Sequence, residues 1–251
     1  MRGVLVTGGG KRIGSEICRL MAARGWHVLV HCFRSATPAN ALVAELRATG
    51  ARADMIQADL RDVEACNTLL PRALALCPDL QALVNNASEF DYDDPLSATG
   101  PRLMDKFAAN AAAPIALCQA FAHAVAGEGA IVNILDNRVL APNPDYFSYS
   151  VSKSALYGAT RMLAQALAPR VRVNAVAPGI TLVSGKQSAE NFESARRLTP
   201  LGVNCTPEQV ARAVDLLIAA RSATGTIITI DGGEALAPHG RDVAFVQAEG
   251  A

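Results

Sequence analysis

The chain has 251 residues, 51% of them hydrophobic, which is enough to bury the core of one α/β domain. Lysine plus arginine and aspartate plus glutamate both number 23, so the zero formal charge disfavours a nucleic-acid or membrane-surface partner. The six cysteines show no CxxC spacing and the four histidines form no metal-ligand cluster, which disfavours a metal-binding protein. No apolar run reaches the roughly 20 residues of a membrane span, which disfavours a membrane-spanning protein. We expect one cytoplasmic domain, residues 1–251, with reduced thiols and no bound metal.

In chain order, short apolar runs alternate with longer alanine-rich amphipathic stretches, the pattern of repeated strand-helix-strand units. The predicted strands are GVLVT, WHVLVHC, ADMIQAD, ALVNNA, AIVNIL, VRVNAVA and GTIITID. The predicted helices between them cover about 12–24, 38–49, 62–77, 102–126, 150–168 and 207–220. Continuously apolar strands indicate a parallel sheet with helices on both faces. The segment from about 180 to 205 breaks the alternation and is predicted to be a flap over a site.

The first predicted strand is followed by TGGGKRIG, residues 7–14, directly before the first helix. Glycines in such a turn let backbone N–H groups approach a pyrophosphate, which also meets the positive end of the helix dipole. The spacing, TGxxxxxG with Arg12 inside the loop, differs from the GxGxxG pattern. A plain strand-to-helix loop is the alternative, but its place in the first βα unit favours nucleotide binding.

The second predicted strand ends in HCFRS, residues 31–35, without an acidic residue. An acid at this place accepts bonds from a free ribose, whereas a cation pairs with a 2′-phosphate. Arg34 and Ser35 could bind that phosphate, with Lys11 nearby. The sequence therefore favours NADPH over NADH, and the alternative is that Arg34 is a solvated surface residue.

Polar and small residues follow the next two strands. Asp59, after the third strand, could accept a bond from the adenine amino group. Asn85, Asn86 and Ala87, after the fourth, form a turn that could line the cofactor. Each also has a plain turn-forming alternative. Because the carboxyl ends of parallel strands meet at the edge where open α/β sheets bind ligands, we expect these residues to converge on one site.

Asp136 ends the fifth predicted strand, and Tyr149 and Lys153 follow it beside the next predicted helix. Since residues i and i+4 share a helix face, the Lys153 ammonium is expected to lower the pKa of the Tyr149 phenol from about 10. The phenol would then donate a proton beside a hydride donor at neutral pH. The alternative is an ordinary YxxxK pair on a solvent-facing helix.

Four motifs, TGGGKRIG, NNA, YSVSK and VNAVAPG, together resemble the short-chain dehydrogenase/reductase family over residues 2 to about 233. The resemblance implies a Rossmann-like α/β fold of three layers with a doubly wound, mainly parallel sheet. It also implies hydride transfer from a nicotinamide, with Tyr149 as the proton donor and Lys153 holding the nicotinamide ribose.

Other parts of the chain match the same family. Asn110, in FAANAAAP, matches the family's asparagine of the proton relay. Pro178 and Gly179 match the turn beside the nicotinamide carboxamide. Members of the family are commonly tetrameric, so the resemblance implies a homotetramer.

One position departs from the family pattern. Most members carry a serine thirteen residues before the tyrosine, and this chain has Asp136 there. A serine hydroxyl donates a hydrogen bond to a ketone oxygen, whereas an ionised carboxylate only accepts and repels developing negative charge. Asp136 therefore suits a substrate that presents N–H groups or is protonated at nitrogen.

That chemistry points to a subgroup, the pteridine reductases and bacterial dihydromonapterin reductases, which the chain resembles at GGGKRIG, HCFRSA, NNASEF, ILD and YSVSK. In the subgroup, the acid at the position of Asp136 binds the nitrogen edge of the pterin. Arg12 matches an arginine that reaches the cofactor phosphates and the pterin. Phe90 matches an aromatic residue that stacks the pterin against the nicotinamide, and Ser88 matches a serine near both ligands.

Ordinary structural roles are the alternatives for these residues. Phe90 could be a core aromatic residue, Arg12 could bind phosphate alone, and Asp136 could cap a turn or pair with Arg138. The acidic run of Glu89, Asp91, Asp93 and Asp94 is either solvated loop charge or a preference for a substrate with amino groups.

The predicted site residues form three sets. The cofactor-binding residues are Gly8, Lys11, Arg12, Ile13, Gly14, His31, Arg34, Ser35, Asp59, Leu60, Asn86, Ala87, Ser88, Tyr149, Lys153, Pro178 and Gly179. The catalytic residues are Asp136, Tyr149, Lys153 and Asn110, and the substrate-binding residues are Arg12, Ser88, Phe90, Asp136 and Tyr149.

The function expected from these sets is NADPH-dependent reduction of a C=N bond in a pterin or dihydropterin, with dihydrofolate as a further candidate. One alternative is a carbonyl, imine or 3-oxoacyl reductase of the same family. Another is a regulatory protein that binds the cofactor without turnover.

Overall fold

The computed structural model of the chain describes residues 1–183 and 188–246. The strands in this part of the chain are β1 Gly3–Val6, β2 His27–Cys32, β3 Ala53–Gln57, β4 Leu80–Asn85, β5 Gly129–Ile134, β6 Val171–Pro178 and β7 Ile227–Ile230. The α-helices are α1 Arg12–Ala23, α2 Ala36–Ala48, α3 Val63–Leu76, α4 Gly100–Phe107, α5 Ala113–Ala124, α6 Phe147–Leu167, α7 Ala189–Ala195 and α8 Pro207–Ala219. A π-helical turn, Ala108–Ala112, joins α4 to α5, and 3₁₀ turns cover Asn137–Val139, Arg196–Leu198 and Glu234–Leu236.

The strands pair in parallel in the order β3-β2-β1-β4-β5-β6-β7. The chain winds outward in both directions from the boundary between β1 and β4, which is the switch point of a doubly wound sheet. At this boundary Leu5 of β1 stands beside Leu83 of β4, and on the other side of β1 the same residue stands beside Leu29 of β2. The predicted Rossmann-like, doubly wound parallel sheet is confirmed.

Helices cover both faces of the sheet because successive strand residues point to opposite faces. Val4 and Val6 lie in a buried apolar cluster with residues of α1, α2 and α8. Leu5, between them, lies in a second cluster with residues of α3, α5 and α6. The continuous apolarity of the strands therefore follows from burial on both sides, as the sequence predicted.

Most predicted helices have the expected bounds within a few residues. At the start of α8, Thr206 and Gln209 form a capping box, with Pro207 in the first turn. The predicted helix over 102–126 is helical without a break from residue 100 to residue 124, with a π-helical turn between α4 and α5 that the sequence did not indicate. That turn carries Asn110.

The segment predicted to be a flap, about 180–205, contains α7 and a 3₁₀ turn, which the sequence analysis did not predict. Residues 184–187 of this segment and residues 247–251 of the tail lie outside the described residues. Over residues 1–183 and 188–246, no helix is long and apolar enough to cross a membrane. The same residues hold no group of three or more side chains suited to a metal ion.

All six cysteines of the chain are free and buried. Burial raises the pKa of the Cys118 thiol to about 12 and also raises that of Cys18. These thiols contribute apolar packing, since the thiolate form that reacts is disfavoured in such surroundings.

Candidate active site

A cavity of about 730 Å³ lies at the carboxyl ends of the central strands. The predicted site residues that line it are Gly8, Lys11, Arg12, Ile13, Gly14, Asn86, Ala87, Ser88, Phe90, Asp136, Tyr149, Lys153, Pro178 and Gly179. Predicted residues outside its lining are His31, Arg34, Ser35, Asp59, Leu60 and Asn110. Lining residues that the sequence analysis did not predict as site residues include Arg138, Glu234 and Asp242.

The glycine loop at one end of the cavity is held in a left-handed backbone conformation at Gly8 and at Arg12, with φ of 62° and 55°. At Gly14 there is no room for a side chain, since a Cβ atom would stand 2.3 Å from the Gly8 carbonyl oxygen. The Asn86 side chain donates to the Thr7 and Gly8 carbonyl oxygens at 2.9 and 3.1 Å. The loop after β1 is therefore fixed to the loop after β4.

The start of α1 has the features of a phosphate-binding site. Lys11, at the N-cap position, makes no side-chain hydrogen bond to the first turn of the helix. The first N–H groups of a helix need partners, and an anion supplies them while meeting the positive end of the helix dipole. With Ile13 and Gly14 lining the cavity here, these residues fit the pyrophosphate of a dinucleotide.

Arg12, at the end of this loop, reaches another part of the cavity lining, where its guanidinium donates to the Val183 carbonyl oxygen at 3.1 Å. The predicted contacts of Arg12 with phosphate and pterin remain predictions. Its place in the cavity lining is consistent with both.

His31 supports the glycine loop from the end of β2. Its Nδ1 atom accepts a hydrogen bond from the Gly8 N–H at 3.1 Å, and its Nε2 atom lies 3.2 Å from the Ala58 carbonyl oxygen. This pair of partners fits the neutral ring with the proton on Nε2. Burial lowers the pKa of His31 to about 4. His31 thus contacts the backbone of the loop and does not line the cavity.

Asp59, at the end of β3, is bound by Arg61 through two side-chain hydrogen bonds of 2.8 and 3.1 Å. The hydrogen bonds from Arg61 lower the pKa of Asp59. Arg34 lies nearby, with its guanidinium 4.9 Å from the ring centre of Phe33. The charged groups that follow β2 and β3 therefore lie close together outside the cavity, where an adenosine end would extend from the glycine loop.

The centre of the cavity holds Asp136, Tyr149 and Lys153. The Tyr149 hydroxyl donates to Asp136 Oδ2 at 2.8 Å, and the Lys153 ammonium donates to the Ile134 carbonyl oxygen at 2.8 Å. Burial lowers the pKa of Lys153 to about 8. Tyr149 and Lys153 lie four residues apart on α6, as predicted.

The expected direction of the Tyr149 pKa is wrong for this structure. Burial, followed by the negative charge of Asp136, raises the pKa of Tyr149 well above its usual value. Burial disfavours the charged phenolate, and the hydrogen-bond partner of the phenol is a carboxylate, while the Lys153 ammonium lies 5.7 Å from the ring centre. Tyr149 is therefore a protonated hydrogen-bond donor over the physiological pH range.

Asn110 lies behind the cavity, where it joins the loop after β4 to α6. Its Oδ1 atom accepts from the Glu89 N–H at 2.8 Å and from the Ser88 hydroxyl at 3.2 Å. Its Nδ2 atom donates to the Glu89 carbonyl oxygen and to Ser152 Oγ at 3.0 and 3.1 Å. The asparagine thus fixes the position of Ser88, a cavity residue, and its role in a proton relay remains a prediction.

Phe90, in the same loop, packs in an aromatic group at the cavity wall. Its ring stacks on Tyr146 with centres 4.2 Å apart and meets the edge of Tyr149 at 4.7 Å. The ring of Phe90 therefore packs against other aromatic side chains, as a core residue would, and it also lines the cavity, as a residue that stacks a substrate would.

The acidic run beside Phe90 is held by side chains within the loop and the adjoining helix. Lys106 of α4 pairs with Glu89 at 3.2 Å and with Asp91 at 2.5 Å. Asp93 accepts from the Ser148 N–H at 3.0 Å and lies 3.4 Å from Arg102. None of the four acids of the run lines the cavity, so these charges order the loop.

Asp136 has partners besides Tyr149. It caps the 3₁₀ turn Asn137–Val139 by accepting from the Arg138 N–H at 3.0 Å, and its Oδ2 atom lies 3.4 Å from the Arg138 guanidinium. Arg138 in turn forms an ion pair with Asp242. The capping and pairing alternatives therefore hold together with the contact to Tyr149.

Glu234, in the 3₁₀ turn after β7, brings a second acidic group to the cavity. Among the described residues its Oε2 atom, which is buried, has no hydrogen-bond partner. Burial, followed by the charge of Asp136, raises the pKa of Glu234 to about 7. No sequence motif marked this residue, because it comes near Asp136 only through the fold.

Several known proteins are similar to this chain in sequence or in structure. Pteridine reductase 1 of Leishmania tarentolae is 35% identical, over 92% of this chain and 96% of its own length. The structure of FolM alternative dihydrofolate reductase 1 from Brucella canis, complexed with NADP, is similar with a TM-score of 0.91 and 39% identity, covering 94% of this chain and 95% of its own. A 3-oxoacyl-[acyl-carrier-protein] reductase of Synechocystis is 32% identical over 91% of this chain and 95% of its own length.

The family itself follows from the match with the short chain dehydrogenase model, which covers residues 2–194. This span contains the glycine loop, Asp136, Tyr149 and Lys153. The chain belongs to the short-chain dehydrogenase family of oxidoreductases, as its motifs predicted.

Proposed function

We propose that the chain is a reductase that uses NADPH to reduce a C=N bond of a dihydropterin. The observation that carries the proposal is the hydrogen bond of 2.8 Å between Tyr149 and Asp136 in a cavity that Phe90 also lines. The cavity thus combines a proton donor, a carboxylate and a flat aromatic wall. Pteridine reductase and alternative dihydrofolate reductase, two similar proteins, carry names that agree with such a substrate.

The cofactor would lie along the line from the glycine loop to Lys153. The start of α1 would hold the pyrophosphate, Arg34 with Ser35 the 2′-phosphate, and Lys153 the nicotinamide ribose. When bound, NADPH supplies a hydride equivalent to the carbon of the C=N bond. Overall, one hydride and one proton convert the C=N bond to CH–NH.

Tyr149 would supply the proton to the substrate nitrogen, and its protonated hydroxyl in the cavity supports this role. The Asp136 carboxylate would accept hydrogen bonds from the N–H edge of the ring, the role for which a serine hydroxyl is less suited. The Lys153 ammonium, held by the Ile134 carbonyl oxygen, offsets the charge that remains when the phenol has lost its proton.

The Asp136→Ser variant tests the proposal directly. With purified protein and NADPH, we expect kcat/KM for a dihydropterin to fall by about 10² to 10⁴, the range typical of a lost acid–base group. NADPH binding, followed by its fluorescence, is expected to stay within about twofold. Asp79→Ser, which removes an exposed carboxylate far from the cavity, is the matched control and is expected to keep wild-type turnover.

A carbonyl or 3-oxoacyl reductase is the second candidate, favoured by the similarity to the Synechocystis enzyme. In that case the wild-type protein reduces ketones or β-ketoacyl thioesters and no pterin, and Asp136→Ser keeps or gains activity. A regulatory protein would bind NADPH tightly and turn over no member of a panel of pterins, folates and ketones. Either pattern contradicts the proposed function.

We also propose that the chain is one folding domain that assembles as a homotetramer, as its family resemblance implies. Native mass spectrometry gives the number of subunits directly. A monomer at micromolar concentration would contradict the proposed assembly without bearing on the chemistry.

A further inference from the structure

We propose that Arg138 is a positioning residue of the reductase site, which holds the Asp136 carboxylate and attaches the C-terminal segment, residues 239–246, to the wall of the cavity. The proposal rests on the proposed function, because its test follows the turnover of a dihydropterin. It concerns a residue outside the motifs that mark the family.

The contacts of the Arg138 guanidinium carry the proposal. It lies 3.4 Å from Asp136 Oδ2 and forms an ion pair with Asp242, with only 13% of its side chain exposed. The Arg138 N–H also donates to Asp136 Oδ1 at 3.0 Å. One residue therefore fixes both oxygen atoms of the carboxylate that accepts the Tyr149 hydrogen bond.

Aromatic rings hold the guanidinium in place. Its carbon lies 5.2 Å from the ring centre of Tyr146, 5.5 Å from that of Phe90 and 6.0 Å from that of Tyr149. A guanidinium is attracted to the electron-rich ring surface at such distances. Arg138 thus contacts the proposed stacking residue and the proposed proton donor as well as the carboxylate.

The C-terminal segment is attached at two neighbouring points. Asp242 pairs with Arg138 at the cavity, and the Asp242 N–H donates to the buried carboxylate of Asp145 at 2.7 Å. Arg241 binds the same Asp145 carboxylate through bonds of 2.7 and 2.9 Å. Phe245 then packs against Tyr92, with ring centres 5.2 Å apart. The Arg241 attachment secures the segment without reaching Asp136, which makes it a matched control.

The charges around Asp136 determine what happens when Arg138 is removed. The other acidic groups that line the cavity near Asp136 are Asp242 and Glu234. The cations of the cavity that interact with Asp136 are Lys153 and Arg138. Without the guanidinium, Asp136 and Asp242 face one another with less compensating charge. The Asp136 carboxylate also loses the contact that holds its Oδ2 atom, so its orientation toward Tyr149 is fixed less firmly.

The test compares kcat and KM for dihydropterin reduction in four variants. For Arg138→Met we expect at least a tenfold fall in kcat, because the Asp136 carboxylate loses the guanidinium that lies beside its Oδ2 atom. For Arg138→Lys, which keeps the charge, we expect kcat to return toward its wild-type value. For Asp242→Asn, which weakens the attachment of the C-terminal segment while Arg138 and Asp136 remain, we expect a raised KM and a kcat close to that of wild type.

Arg241→Met is the control, since it loosens the same segment while Arg138 and Asp136 keep their contacts. We expect it to raise KM and to leave kcat close to that of wild type. NADPH binding and the cooperative unfolding of each variant show that the fold is kept.

A kcat of Arg138→Met that equals that of wild type, or an equal fall in kcat in Arg241→Met, overturns the proposal while the proposed function stands. If Arg138→Met does not fold, Arg138→Lys and Asp242→Asn carry the test: a kcat lowered more in Arg138→Lys than in Asp242→Asn supports the proposal, and a kcat in Arg138→Lys no lower than in Asp242→Asn refutes it. A wild-type protein that reduces no pterin refutes the proposed function, and the inference with it.

Discussion

Each donor around Asp136 comes from a different structural source. Tyr149 is presented by the first turns of α6, the Arg138 N–H by the 3₁₀ turn, and the Arg138 guanidinium by an ion pair with the C-terminal segment. A carboxylate that accepts several such bonds is held in one orientation, which acid–base chemistry requires. The raised pKa of Tyr149 is part of the same arrangement, because the carboxylate favours the protonated phenol.

Glu234→Gln tests the environment of the second carboxyl group. The pKa of Glu234 rises from 4.5 to about 7 on burial, so this group favours folding below pH 4.5 and loses that contribution as pH rises through 7. At pH 8 the free energy of unfolding of the variant is therefore expected to exceed that of wild type by up to about 3 kcal/mol. Urea unfolding measures this difference. At pH 4.5 the two proteins are expected to be equal.

The matched control is Glu64→Gln, at an exposed position in the first turn of α3. It is expected to show no gain at pH 8. Equal stability of wild type and Glu234→Gln at both pH values would show that Glu234 is solvated.

Spacing along the chain explains which site residues the sequence could predict. Tyr149 and Lys153 are one helical turn apart, and Asp136 stands at the end of an apolar strand, so local patterns predict all three. Arg138 and Asp242 are 104 residues apart, and no local pattern records an ion pair formed across the molecule. The predicted direction of the Tyr149 pKa shift was wrong for the same reason, since it depends on how deeply the folded chain buries the phenol and on which charged neighbour it supplies.

Among the elements, β2 and the glycine loop are coupled through one buried side chain. His31 at the end of β2 receives the Gly8 N–H and reaches the Ala58 carbonyl oxygen beyond β3. The ring can do this only while it is neutral, because a protonated imidazole has no acceptor for the Gly8 N–H. The geometry of the loop therefore depends on the protonation state of His31.

Stability is expected to fall as pH decreases through the range in which unfolded histidine gains its proton. The pKa of His31 is lowered from 6.5 to about 4. The neutral ring therefore contributes about 3 kcal/mol to the free energy of unfolding above pH 6.5, and this contribution is lost as pH falls through 4. Asp59 and Arg72 are the charged groups that act on the ring. His31→Gln removes the titration, and urea unfolding of this variant is expected to vary less between pH 7 and 4.

His123→Gln, at an exposed position of α5, is the control and is expected to keep the wild-type pH dependence. A His31→Gln protein that loses as much stability on acidification as wild type would exclude this residue as the source.

Elements with strong local patterns were predicted well. The apolar strands and the capped start of α8 follow from burial and from capping chemistry, which act over a few residues. The π-helical turn Ala108–Ala112 was missed, because its alanine-rich sequence suits an ordinary α-helix equally. Its position is explained by the four hydrogen bonds of Asn110 to distant residues.

For the molecule as a whole, a cofactor that binds the glycine loop and Lys153 would bridge the two halves of the sheet. A ligand present at 100 times its Kd stabilises the folded state by about 2.7 kcal/mol. For a chain of this size, that corresponds to a rise in Tm of about 5 to 10 °C. We expect NADPH to give this rise and NADH, at the same concentration, a smaller one.

Arg34→Ala is expected to reduce the NADPH shift toward that of NADH, because the variant lacks the proposed partner of the 2′-phosphate. Arg221→Ala, at an exposed ion pair with Glu128, is the control. Differential scanning fluorimetry measures both variants, and an unchanged preference for NADPH in Arg34→Ala would place the phosphate elsewhere.

The six buried cysteines give the molecule a set of natural chemical probes. Cys18, Cys32 and Cys205 lie in the apolar cluster on one face of the sheet, and Cys77 and Cys118 lie in the cluster on the other. Since only a thiolate reacts readily with alkylating reagents, each thiol becomes modified when the layer around it opens. The order in which the cysteines are labelled would therefore record which helical layer separates from the sheet first.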